Sequence, residues 1–343
     1  MLPFLCIVPA MTSLQHHFEP DGARARAMDA RSHALLADSL EHIQAQAAHV
    51  LGAGGSLERV VSAMRSGARF GPYTFGLYYK LALALMEERP DDARQLAERL
   101  TLSPQHRGPL VLRALDDLPA DQAALYQELM DTDPQTRFGL QAPPPSLALA
   151  FRDRFKTAFA TLQKVSPDLA SEFSGLIREV CMVVGDRQAR YQFDGGSSYM
   201  LWGGLFLNIE SHETNVQLVE VLAHESGHSL LFGHSLDEAL VLNEDDELYT
   251  SPLRVDPRPM DGIYHATYVS ARMHWVMTRL LESGELSDEE RTQAERARLA
   301  DTENFEAGHE VVSRHGRLTR SGQAVMAEAR RYMDGVRAQA AVC

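Results

Sequence analysis

A His-Glu-x-x-His sequence brings both imidazoles to one metal ion only when it is helical, and here it is His224-Glu225-Ser226-Gly227-His228. Residues four apart share a helix face, so His224 and His228 look the same way while Glu225 stands beside them. The flanks, Val219 to Ala223 and Ser229 to Phe232, are apolar except for Glu220 and Ser229, as a helix buried in a core must be. The chain is therefore expected to build its core around this helix and to hold a metal there. The third ligand decides the chemistry.

Composition limits the partners. With 343 residues and 45% hydrophobic content, the chain can bury a sizeable core as one large or two intimate domains. The 47 acidic and 33 basic side chains leave a net charge of −14, which repels nucleic acid and anionic membrane surfaces and favours basic or neutral peptides. Cys6, Cys181 and Cys343 are odd in number and far apart, so neither a disulfide framework nor a cysteine zinc site is expected. A reducing cytoplasm is the expected compartment. The apolar start at residues 2–10 has no basic flank, contains Pro3 and Pro9, and is about half the length of a membrane span. Residues 1–11 read as a disordered start, with Met11 as the working initiator.

Along the chain, helical periodicity marks residues 30–51, 75–88, 91–100, 120–130 and 146–164, with a cap expected at 56–59 after Gly52-Ala53-Gly54-Gly55. Pro143, Pro144 and Pro145 mark a boundary, because consecutive prolines favour extended backbone. Residues 12–145 form a helical region packed on a catalytic part at 146–343. In the latter, residues 179–184 and 203–209 read as strands separated by a turn-rich segment at 194–198. Residues 287–341 read as a pair of solvated helices, with His309 and His315 on their surface. The fold class is α+β and mostly helical. Strands leading into an HExxH helix resemble the zincin arrangement, in which an edge strand beside the metal pairs with an extended peptide.

Three residues compete to complete the metal site. His234 falls at the third histidine of an HExxHxxGxxH pattern, but Leu231 replaces the turning glycine and Gly233 comes two residues late. On a straight helix His234 then lies roughly two-thirds of a turn away from His228. Glu247 has gluzincin spacing and would give a His2Glu zinc set, yet it belongs to an acidic run, 244–247, without apolar helical register. His265 opens an apolar helix after Pro257, Pro259 and Gly262, with Val269 and Arg272 on its face. It can hold a metal with Arg272 binding an anion beyond it, or be a buried histidine with Arg272 paired to an acid such as Glu238.

The HExxH helix, Ser251-Pro252-Leu253-Arg254, Asp256-Pro257-Arg258-Pro259, Gly262 to Ala266 and Ala271-Arg272 together resemble the HExxH domain proteins encoded beside ribosomal peptide natural-product genes. The resemblance covers residues 197–273. It implies a zincin-like catalytic domain and a non-haem Fe(II), 2-oxoglutarate-dependent dioxygenase that β-hydroxylates a side chain of a ribosomally made precursor peptide. His224, His228 and His265 would hold the iron, leaving positions for 2-oxoglutarate and dioxygen. Arg272 is the first choice for the distal carboxylate of 2-oxoglutarate, with Arg254 and Arg258 in reserve. Ser198-Tyr199 and residues 203–208 would pair with the peptide. Glu225 would orient a ligand, water or peptide. In the alternative, a zinc metallopeptidase, Glu225 would be the general base.

Overall fold

The computed structural model describes residues 16–52, 56–132, 137–189, 193–251 and 256–340. The apolar start, Met11, Gly54, Gly55 and Arg254 lie outside them. The fold is mostly helical with small sheets. No described helix is long and apolar enough to cross a membrane.

Helix α1 (Gly22–Leu51) begins well before residue 30 because the Asp21 carboxylate accepts from the Ala23 and Arg24 amides and caps it there. The next helices are α2 (Glu58–Arg65), α3 (Pro72–Met86), α4 (Pro90–Thr101) and α5 (Ala120–Met130). They are followed by α6 (Pro145–Val165) and α7 (Pro167–Leu176). Proline opens α3, α4, α6 and α7, at the position where its missing N–H costs nothing. Residues 56–59 give α2 no side-chain cap.

Strands β1 (Arg69–Phe70) and β2 (Gln105–His106) form a small antiparallel pair. The main sheet has four strands: β3 (Val111–Ala114), β4 (Glu179–Val183), β5 (Gly195–Gly196) and β6 (Gly204–Asn208). Their order is β3-β4-β6-β5, with β3, β4 and β6 parallel and β5 antiparallel to β6. Every residue of β4 and β6 is buried, which accounts for the apolar runs at 180–183 and 205–207. Because β3 precedes the Pro143–145 junction and β4 follows it, the sheet spans that boundary. One hydrophobic core runs from Phe18 to Met333.

Helix α8 (Asn215–His234) follows β6, and the short strands β7 (Leu248–Tyr249) and β8 (Arg258–Pro259) pair before α9 (Met260–Glu282). Helices α10 (Asp288–His315) and α11 (Arg320–Ala340) close the chain. They are amphipathic rather than wholly solvated: α10 buries Ala294, Phe305 and Val312.

The N-terminal segment is drawn into this core. Phe18 stacks on Tyr332 with ring centroids 4.6 Å apart and meets Tyr268 and Trp275 edge-on. Arg24 donates to the carbonyls of His17 and Glu19, and Arg272 to that of Phe18 at 2.8 Å. Both guanidinium groups also bind the fully buried carboxylate of Glu172 on α7.

Asp301 of α10 is buried, one carboxyl oxygen lacks a hydrogen-bond partner, and burial with the nearby Glu220 charge raises its pKa to about 9. The folded state thus holds a proton that the unfolded chain releases above its ordinary value of 3.8. This contribution to stability is fully present below that value and is lost as pH rises towards 9. Asp301→Asn, which mimics the protonated form, should flatten the fall in stability between about pH 5 and about pH 8. Urea unfolding across that range checks it; parallel pH profiles for the two proteins would refute it.

Candidate metal centre

Helix α8 starts at a capping box: the Thr214 hydroxyl accepts from the Gln217 amide, and the Gln217 side chain accepts in return. Its middle turns carry the HExxH residues against α9. The close approach is set by Gly227, where an added Cβ would lie 2.9 Å from Val269 Cγ1 and 3.6 Å from Arg272 Cγ. The β-branched Val269 has little freedom to withdraw. Gly227→Ala should therefore destabilise the protein by about 1–3 kcal/mol through overpacking. A thermal melt unchanged from wild type would refute that account. Gly233 serves α1 in the same way, since a Cβ there would lie 2.6 Å from Met28 Sδ. It is a packing residue within the helix, so α8 runs straight to His234 with no turn back towards His228.

Three imidazoles meet at the α8–α9 contact. His224 Nε2 lies 3.0 Å from His228 Nε2, and His228 Nδ1 lies 3.0 Å from His265 Nδ1. His224 Nδ1 is 3.3 Å from Met273 Sδ. A thioether sulfur only accepts, so His224 carries its proton on Nδ1 and presents a lone pair at Nε2. With neutral rings, His228 then donates from Nε2, and His265 donates from Nδ1 to His228 Nδ1. The chain of protons has one consistent direction. Burial holds His228 well below the usual histidine range, helped by the charges of His224 and His265. Burial also lowers His265, against the opposing charge of Asp261. Neutral rings are the ligand form of histidine.

In kind, this donor set fits a divalent transition ion. Two nitrogens about 2.0–2.1 Å from one ion are separated by about 3 Å, the spacing of the His224 and His228 Nε2 atoms. His265 contacts the other edge of the His228 ring, so the three rings as placed do not share one focus. Among the described residues, no group of three or more His, Cys, Asp or Glu is arranged to hold a metal.

Glu225 is buried beside this cluster, with Oε1 3.8 Å from His224 Nε2 and no hydrogen-bond partner for Oε2. Burial raises its carboxyl to about 8, which Ser197 partly offsets and the Asp194 charge reinforces. Gly195 of β5 faces it closely, a Cβ there being 3.1 Å from Glu225 Oε1. An aromatic row leads outward: Phe232, one turn beyond His228, lies 5.5 Å from the His265 ring and 6.0 Å from the half-exposed Tyr199.

The other candidates lie elsewhere. Glu247 is bound by Arg317, Tyr249 and Asn243; its hydrogen bonds to Arg317 and Tyr249 hold its carboxyl at about 2. His234 is buried at the far end of α8, beside His16. Arg272 is 0% exposed and committed to Glu172 and the Phe18 carbonyl, which leaves it no opening to a soluble carboxylate. The acid it pairs with is Glu172, not Glu238. Arg258, partly buried and ion-paired through Nε to Asp256 at 3.0 Å, is the remaining described arginine of the three. The expected peptide-pairing strand also needs correction: both edges of β6 are occupied, by β4 and β5, so the outer edge belongs to β5. Met273, Ser197 and Asp261 were not expected at the site. Asp261, 3.9 Å from His265 Nε2, is one turn before it on the same helix face, a signal the sequence did contain.

No protein-family model matches this chain. No curated protein is significantly similar to it either.

Proposed function

We propose that the protein is a non-haem Fe(II), 2-oxoglutarate-dependent dioxygenase with a zincin-like catalytic region, hydroxylating a side chain of a ribosomally made peptide at Cβ. The observation that carries this reading is the meeting of His224, His228 and His265 beside a buried Glu225 whose carboxyl burial raises to about 8. A protonated Glu225 can donate a hydrogen bond to a ligand, water or peptide. His224 and His228 would hold the ion through Nε2 once the His228 proton moves to Nδ1, and His265 would complete the set by turning its ring from its place at His228 Nδ1. Bound iron with 2-oxoglutarate and dioxygen supplies the oxidation, in which decarboxylation to succinate and carbon dioxide accompanies conversion of a C–H bond to C–OH.

The chain's own groups do the rest. Met273 fixes the His224 tautomer, and His265 meets the second nitrogen of His228. Arg258 is the candidate anchor for 2-oxoglutarate. The antiparallel edge strand β5 offers an extended peptide its outer edge, and Gly195 brings that edge against Glu225.

The test is single turnover. Anaerobic protein charged with Fe(II), 2-oxoglutarate and a candidate peptide, then exposed to air, should give succinate and a peptide heavier by one oxygen atom. Cleaved peptide without an oxygen requirement would establish the zinc peptidase instead.

A further inference from the structure

His234 ends α8 with 4% exposure, and neither of its ring nitrogens has a hydrogen-bond partner. His16, brought beside it by the N-terminal segment, has a buried Nδ1 in the same condition. Buried polar atoms left unpaired are costly, so three in two adjacent rings call for a ligand. The ring centroids are 5.2 Å apart and tilted by 43°. Two imidazoles on one tetrahedral ion, each nitrogen about 2.1 Å from it, place their centroids about 5 Å apart. The His224–His228 pair, at 4.8 Å, has nearly the same spacing.

We infer that His16 and His234 form a second metal site, which binds a divalent transition ion such as zinc and fastens the N-terminal segment to the end of the HExxH helix. The segment is held there independently of any ion, by Arg24 and Arg272 on the carbonyls of residues 17–19, so the pair is preorganised. Two protein nitrogens leave the other positions to solvent or to a carboxylate. Glu238, four residues after His234, and Glu328 act on His16 and oppose the positive charge of Arg24, whereas the charges that act on His234, from Arg24, His17 and Arg272, are positive. Glu172 offsets Arg24 and Arg272 on the inner side.

The experiment is a cobalt(II) titration of the metal-free full chain, followed by absorption and by bound metal per chain. It compares wild type, His16→Gln, His234→Gln and the double variant His224→Ala/His228→Ala. Loss of one equivalent in His16→Gln and in His234→Gln, with one equivalent kept in the double variant, is the expected result. Zinc should raise the melting temperature of the double variant but not that of His16→Gln carrying the same two alanines. His16 is only partly buried, so its variant stays informative if His234→Gln folds poorly. An unchanged equivalent count in His16→Gln, or a double variant that binds no cobalt, would overturn the site. Neither result depends on the reaction proposed above.

Discussion

Arg272→Ala should cost about 3–5 kcal/mol of folding stability, because it leaves Glu172 short of a partner where water cannot reach it. Arg24 would remain on that carboxylate, but the Phe18 carbonyl would lose its donor and the Phe18 ring the guanidinium 5.6 Å from its centre. The expected protein is expressed poorly or melts far below wild type. A second comparison separates a structural role from a ligand-binding one. Combining Arg272→Met with Glu172→Leu should recover part of the loss, since apolar replacements of similar volume often match a buried ion pair. Normal stability for Arg272→Ala, together with a raised requirement for 2-oxoglutarate, would return the arginine to the binding role that its position on the His265 face suggested.

The second large effect is functional. His228 touches both other imidazoles, so His228→Ala should abolish metal-dependent turnover and weaken metal binding at this centre by more than the roughly 10–100-fold that loss of an outer-shell partner causes. His265→Ala should also abolish turnover. Glu247→Ala should leave it largely intact, because that carboxylate serves Arg317 and Tyr249. Measured succinate formation, with metal content determined for each protein, checks the set. Full turnover in His265→Ala would remove that residue from the centre.

The metal helix was legible because its signal is local: two histidines four apart in an apolar run need only helical geometry to meet. His265 could be nominated by its apolar helix, yet its contact with His228 depends on Gly227 letting α9 close in, and a glycine inside a helix announces no partner. Arg272 shows the opposite failure. Its helical face was readable, but how far its side chain reaches, and to which acid, depends on α7 folding beneath it. Strand β5 was hidden because two glycines carry almost no strand propensity and resemble a turn. The early start of α1 is not legible in the apolar periodicity because Asp21 caps the helix ahead of it.

The Phe18–Tyr332 stack joins the two ends of the described chain. On the ribosome, residue 18 must wait until α9 and α11 are made before it meets its aromatic partners. Until then Phe18 and the two buried arginines have no permanent place. This part of the core can close only after α11 has left the ribosome, which leaves the nascent chain with exposed apolar surface until then. Chains truncated within α11 should therefore be cleared as misfolded protein, even though every residue of the metal centre precedes the cut.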